Sequence, residues 1–253
     1  MNNLVISLKD VWKTYRTGVI ELTALKGIHL DIAAGEFTAI MGPSGSGKST
    51  LMNIIGCLDQ KDAGEYLLNG SDVKNMNQND LALLRNQEIG FVFQSFNLLP
   101  KLTLLENVEL PMVYAAVKRK ERTERAMNAL DSVGLHQWAE HRPNEVSGGQ
   151  KQRAAIARAM VMKPALLMAD EPTGNLDSQS SKEIMRVFQE LNRMGTTIVV
   201  ITHEPAIAAY ASRVLQVVDG QIVSDTVHSS AAEKKQSVTE KKQSAAETKQ
   251  SAG

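Results

Sequence analysis

The sequence is poor in the features that usually announce a compartment or a ligand. Its 253 residues include one cysteine, Cys57, so no disulfide can form within the chain, which suits a reducing compartment. Cys57 lies in the apolar run Leu51 to Leu58 and reads as a small buried hydrophobe. Aromatic residues make up only 4%, which disfavours a base-stacking surface. Lys and Arg total 28, Asp and Glu total 28, so no net basic field argues for nucleic acid as a partner. No run of about eighteen apolar residues occurs, so no transmembrane helix is expected. The opening MNNLVISLKD lacks the layout of a signal peptide. Work at a membrane is therefore expected to go through a partner.

A hydrophobic content of 43% is enough for one sizeable core, or a core with a smaller lobe. From Glu233 the chain reads EKKQSVT, EKKQSAA, ETKQSAG, a seven-residue repeat without apolar a and d positions. Residues 229–253 are expected to be a solvated, low-complexity tail. Phe37 to Met41 is an apolar strand entering a glycine loop, and Leu51 to Ile55 continues as a helix capped by Gly56. Ala165 to Ala169 and Thr197 to Ile201 have the length of buried strands. Between them Ile184, Val187, Phe188 and Leu191 recur at helical spacing. Strand, helix, strand implies a parallel sheet with right-handed crossovers. Val5 to Leu8, Glu21 to Ala24, Ile28 to Ile32 and Tyr66 to Leu68 read as short antiparallel strands. Residues from about 98 to 162 read as mainly helical. The fold expected is α/β, with an antiparallel β subdomain and an inserted helical subdomain, over residues 1–228.

Gly42-Pro43-Ser44-Gly45-Ser46-Gly47-Lys48-Ser49-Thr50 matches G-x-x-x-x-G-K-[ST] between a predicted strand and a predicted helix. Glycines let backbone N–H groups converge on phosphate oxygens, and the helix start adds its positive end. Lys48 can reach the β- and γ-phosphates of a nucleotide, and Ser49 can offer a hydroxyl to Mg²⁺. The strand ALLMA ends in Asp170 and Glu171. Buried carboxylates need a compensating cation, which this strand end beside a phosphate loop can supply. Asp170 is the carboxylate that serves Mg²⁺, as a direct ligand or through a bound water, and Glu171 is placed to polarise a water. His203 follows the strand Thr197 to Thr202, and Gln94 ends Phe91-Val92-Phe93. A histidine in such a place is usually structural, but a shared sheet would bring it to the γ-phosphate. The Gln94 amide can bind Mg²⁺ or the attacking water.

A second phosphate-binding device follows about a hundred residues later. Ser147-Gly148-Gly149-Gln150 precedes a helical run, so Ser147 can cap a helix whose N-terminus favours an anion.

Together these motifs closely resemble the ATP-binding subunit of ABC transporters, in order and spacing, from about Leu4 to Val223. The segment Asn175-Leu176-Asp177 belongs to the same pattern, while Val146 replaces the usual leucine before SGGQ. The resemblance implies an ATPase that uses ATP and Mg²⁺, with Glu171, Gln94 and His203 as catalytic residues. It implies that Ser49, Gln94 and Asp170 hold the metal. It implies a head-to-tail homodimer in which Ser147, Gly148, Gly149 and Gln150 complete the partner's ATP site and Asp177 lies at the seam. Tyr15 matches the family's adenine-stacking aromatic, although packing alone would also explain it. LDIAAGEFTAIMGPSGSGKST and IGFVFQSFNLLP resemble the macrolide-efflux and lipoprotein-release branch. That branch implies a separate permease of the FtsX-like type and a place at the cytoplasmic face of the inner or plasma membrane. A coupling groove is expected near Ser95 to Leu105, using Phe96, Leu98 and Leu99. The rivals are a soluble ABC ATPase without a permease, which usually carries tandem units or coiled-coil insertions, and a non-catalytic nucleotide-binding regulator.

Overall fold

A computed structural model describes residues 3–228 apart from Val19 and Asn75, so the repeat tail lies outside the described residues. Strands β1 (Leu4–Thr17) and β2 (Ile20–Ala33) pair antiparallel along their whole length. The sequence pattern resolves only short pieces of these two long strands. The reason is a set of register shifts between Leu8 and Thr14, with Asp10 at φ 51°, where bulges break the two-residue alternation. Strands β3 (Phe37–Met41), β4 (Ala63–Leu68) and β5 (Ser71–Asp72) follow, and the first sheet runs β2-β1-β4-β5.

The second sheet adds β6 (Ile89–Phe93), β7 (Leu166–Asp170), β8 (Thr197–Ile201), β9 (Arg213–Val218) and β10 (Gln221–Val227). Its order is β10-β9-β3-β8-β7-β6, parallel throughout except for β10. Its central strands are apolar on both faces because both are covered. Leu166, Met168, Val199 and Ile201 enter the core shared with the antiparallel sheet and helix α1 (Lys48–Ile55). Leu167, Ala169, Ile198 and Val200 enter the opposite core, under α5 (Gly148–Met160) and α6 (Ser178–Arg193). Helix α6 turns Ile184, Met185 and Phe188 inward, with Val187 and Leu191 partly buried beside them.

Helices α2 (Gln78–Glu88), α3 (Leu104–Tyr114) and α4 (Arg119–Ser132) lie between β5 and α5, and α7 (Pro205–Ala208) is a single turn after β8. Sequence periodicity gives no sign of α2, which buries only Leu81 and is held at its start by an Asn77–Asp80 capping box. In the helical lobe, α3, α4 and the adjoining face of α5 share a core of Leu104, Val108, Leu130, Leu135 and Ala154. Asn107 is fully buried there, yet it is satisfied. Its Oδ1 accepts the Leu99 N–H at 2.7 Å, and its Nδ2 donates to the carbonyls of Leu99 at 3.1 Å and Thr103 at 2.8 Å. This one side chain fixes the loop that leads into the lobe. At the other end of the lobe, α5 sits directly on β6: a Cβ on Gly90 would lie 2.4 Å from the Ala159 carbonyl oxygen.

Candidate active site

The carboxyl ends of adjacent parallel strands form the site, the place where open α/β sheets bind ligands. Strand β3 runs out at Met41, and the loop Gly42 to Gly47 leads into α1 at Lys48. Gly42 must be glycine, because a Cβ there would lie 2.1 Å from the Val217 carbonyl oxygen. Gly47, at φ 102°, occupies the N-cap and gives α1 no side-chain cap. The first N–H groups of the helix therefore lack an intrahelical or capping partner, as an anion site requires. Pro43, Ser44, Gly45 and Ser49 are exposed, and Thr50 is half-buried. Lys48 arches back over the loop, donating to the carbonyls of Gly42 and Pro43 at 2.8 Å each. Ser46 is buried, with a hydroxyl that has no partner among the described residues. A cavity of about 400 Å³ opens here, lined by the loop, Tyr15, Thr23, Lys26 and the β9–β10 turn at Asp219 and Gly220. Two lysines and a bare helix start make it a cavity for a polyanion.

Pairing aligns the remaining strand ends. Phe93 is registered with Asp170, Asp170 with Ile201, and Ile40 with Ile201. Gln94, Glu171 and Thr202 thus each follow a strand end in one row beside the phosphate loop. Glu171 has φ 44°, a left-handed conformation uncommon for a long side chain. Its Oε1 accepts the His203 N–H at 3.0 Å and lies 2.7 Å from His203 Nδ1, while Oε2 accepts the Thr202 hydroxyl at 3.2 Å. The hydrogen bond to Glu171, reinforced by its charge, raises the pKa of His203. Burial raises that of Asp170, the Glu171 charge adds to it, and Lys48 opposes both. A half-buried carboxylate beside a second one fits a divalent cation, with the Ser49 hydroxyl and Gln94 amide as neutral donors. Among the described residues no group of three or more His, Cys, Asp or Glu forms a metal cage, so phosphate oxygens and water would complete the shell.

The second device is built as a helix start. Ser147 caps α5, its hydroxyl accepting the Gln150 N–H at 3.3 Å while Gln150 Oε1 accepts the Ser147 N–H at 2.8 Å. A Cβ on Gly148 would meet Leu176, and one on Gly149 would meet Ser180, both at 3.2 Å. Asp177 caps α6, taking N–H bonds from Gln179 and Ser180 at 3.0 and 2.9 Å. Gln94 and Asn175 exchange bonds in both directions, at 3.4 and 3.1 Å. The structure thus brings Gln94, Asn175 and the residues 147–150 into one neighbourhood. None of residues 147–150 lines the phosphate cavity of the same chain. Sequence reasoning missed Gln152, buried on α5, whose Nε2 donates to the Pro172 carbonyl at 2.7 Å directly after Glu171. Its position one turn into a capped helix was the only signal.

The residues expected to form a coupling groove, 95–105, border a larger groove but contribute little to its wall. A groove of about 820 Å³ is walled by α2, β6, α3 and α5, including Leu83, Phe91, Tyr114 and Met162. Of residues 95–105 only Asn97 lines it. Leu98 turns into the lobe core instead, and the Phe96 carbonyl is held by Arg158 at 3.1 Å. The groove contains two guanidiniums, Arg85 and Arg158, neither of which has a carboxylate partner among the described residues. Burial lowers the pKa of Arg158.

Comparison with known proteins agrees with this geometry. The family model for ABC transporters matches residues 25–174. The uncharacterized ABC transporter ATP-binding protein YvrO of Bacillus subtilis is 53% identical over 87% of this chain and 96% of its own length. The macrolide export ATP-binding/permease protein MacB of Marinobacter nauticus is 51% identical over 88% of this chain, which spans 34% of that protein. The solved dimer of the ATP-binding cassette MJ0796 in a post-hydrolysis state, bound to ADP and Pi, superposes with a TM-score of 0.81. It is 43% identical, and the match covers 89% of this chain and 99% of that one. A phosphate loop, a strand-end glutamate held by a histidine, and matches of this extent lead to one family: the chain belongs to the ABC transporters, as an ATP-binding subunit that hydrolyses ATP.

Proposed function

We propose that this ATPase drives a separate membrane permease and works as a homodimer with two ATP molecules at the interface. The observation that carries this is the separation of the two phosphate devices. Ser147 and the glycines after it are absent from their own chain's phosphate cavity, so they are free to close a partner's. The solved dimeric relatives support the same arrangement.

In this reading Tyr15 stacks on the adenine, and Gly42 to Thr50 wrap the phosphates. Lys48 exchanges its loop carbonyls for the β- and γ-phosphate oxygens. Ser49, Asp170 and Gln94 hold Mg²⁺, which neutralises phosphate charge when bound. Glu171 accepts a proton from water as the water oxygen bonds to the γ-phosphorus and the β–γ bridge breaks. Thr202 and His203 hold the carboxylate in line for this. The partner's Ser147 N-terminal helix end stabilises the charge that develops on the γ-phosphate. Asp177, at the seam, reports between sites.

The groove of about 820 Å³ takes a short cytoplasmic helix of the permease. Its apolar walls suit one helix face, and Arg85 and Arg158 favour an acidic residue on it. The relatives named for macrolide export support export. Lipoprotein or peptide handling, and mechanical transmission through an FtsX-like permease, rest on the sequence resemblance to the macrolide-efflux and lipoprotein-release branch alone. The subunit would then lie at the cytoplasmic face of the membrane. No helix among the described residues is long and apolar enough to cross it.

The test is the solution mass of Glu171→Gln with and without MgATP. An ATP-dependent dimer that disappears in Ser147→Arg is the expected result. A dimer that survives Ser147→Arg would remove the shared-site reading.

A further inference from the structure

Lys13 is 8% exposed, unusually buried for a lysine in this chain. A buried ammonium requires compensation. It donates to Asp59 Oδ1 at 2.8 Å and to the Gln60 carbonyl at 2.6 Å. The other oxygen of the same carboxylate, Oδ2, accepts the hydroxyl of Tyr15 at 2.9 Å. The Gln60 N–H closes on Oδ1 at 2.7 Å. Lys13 Nζ also stands 5.1 Å from the centre of the Tyr15 ring, within cation–π range. One side chain, Asp59, therefore grips both a buried cation and the tip of the ring that the cation covers.

From this geometry we infer that Asp59 and Lys13 are positioning residues for Tyr15, and that they set affinity for the base of the nucleotide separately from its phosphates. The inference rests on the reading that Tyr15 stacks on the base. Tyr15 is 37% exposed and lines the phosphate cavity, so unrestrained it would sample several rotamers. The hydrogen bond to Asp59 fixes its tip. The Lys13 ammonium takes one face of the ring, which leaves the other as the face open to a planar base. Ordering such a side chain in advance removes a cost otherwise met on binding, worth about 2- to 12-fold in Kd.

The grip also fixes distance. Asp59 lies just beyond the C-terminus of α1, and the N-terminus of α1 is the phosphate loop. Asp62 in the same turn accepts the Thr14 N–H at 2.6 Å and donates its own N–H to the Trp12 carbonyl at 2.9 Å. Ring and loop are thus joined through one eight-residue helix, so the base and phosphate subsites keep a set span. Burial opposes ionisation of Asp59, but the hydrogen bonds from Lys13 and Tyr15 hold its pKa below the ordinary value.

The experiment is calorimetric titration of the full chain with MgATP and, separately, with magnesium tripolyphosphate, which has no base. Tyr15→Phe and Asp59→Ala should each weaken MgATP about 3- to 10-fold and leave tripolyphosphate unchanged. Asp59→Asn keeps an acceptor for the Tyr15 hydroxyl and should recover part of the loss. Equal weakening of both ligands would mean general damage to the loop and would overturn the inference. So would unchanged MgATP binding in Tyr15→Phe and Asp59→Ala alongside a loss in Tyr15→Ala, because the ring would then need no positioning. No loss even in Tyr15→Ala would remove the stacking reading itself, and the positioning role with it.

Discussion

His203 Nδ1 lies 2.7 Å from Glu171 Oε1, and the backbone N–H of the same histidine reaches that oxygen at 3.0 Å. One residue at the end of β8 thus binds the acid at the end of β7 twice, through side chain and main chain. Only the first contact is lost on mutation of the histidine. The Thr202 hydroxyl adds a third bond. Together these bonds aim the carboxylate.

Glu171→Gln keeps the shape and most of these bonds but cannot take a proton. A positioned base is worth roughly 10²–10⁴-fold in rate. Phosphate release should fall by that factor while nucleotide affinity, measured by calorimetry, changes little. Near-normal release would place the base elsewhere.

His203 should titrate above its ordinary value because Glu171 stabilises the imidazolium. A raised folded-state pKa gives stability that is fully present below the unfolded value of about 6.5 and is lost as pH rises through the folded one. Melting temperature in wild type minus His203→Gln should therefore be largest in mild acid and shrink toward alkaline pH. NMR titration of the His203 ring in Glu171→Gln should show the pKa moving down. An unchanged ring pKa would show that the pair is not coupled.

Asn107→Leu preserves size and removes four side-chain hydrogen bonds. The carbonyls of Leu99 and Thr103 keep a backbone N–H partner, but the Leu99 N–H and the Leu102 carbonyl are left without one among the described residues. Each such group costs about 1–3 kcal/mol when stranded. Urea unfolding should show a loss of at least about 2 kcal/mol. A loss below about 0.5 kcal/mol would mean that water replaces the amide.

Leu83 and Tyr114 are 56% and 76% exposed on the groove, so changing them costs the fold little. Leu83→Arg and Tyr114→Arg should leave hydrolysis by the isolated subunit intact and abolish stimulation by the permease. Retained stimulation in both would move the docking site off this groove.

The sequence carried most of the row of candidate site residues at the strand ends, because each of them follows a run whose apolar length marks a buried strand. Phe91 to Gln94, Leu166 to Glu171 and Thr197 to His203 share that form. It did not carry the antiparallel strands at full length, since bulges near Asp10 hide their period. Helix α2 was also silent, because it is held by an end cap and one buried leucine instead of an apolar stripe. The groove of about 820 Å³ was not legible for the same reason: α2 is one of its walls. Tyr15 was visible but its support was not. Lys13 and Asp59 are 46 residues apart, and only the fold makes them neighbours.

The Ala24 carbonyl oxygen would lie 2.6 Å from a Cβ on either Gly47 or Gly220. Three segments, from the start, the phosphate loop and the final hairpin, converge on one atom. Strand β3, which delivers the loop, is itself wedged between β8 and β9, with Phe37 registered against Ile198. Contacts this far apart along the chain form late and slowly. On the ribosome the phosphate loop and the wall from Tyr15 to Lys26 emerge early, but the wall at Asp219 and Gly220 arrives only with the hairpin after β9. A nascent chain therefore completes its nucleotide cavity only as the last strands of the sheet close.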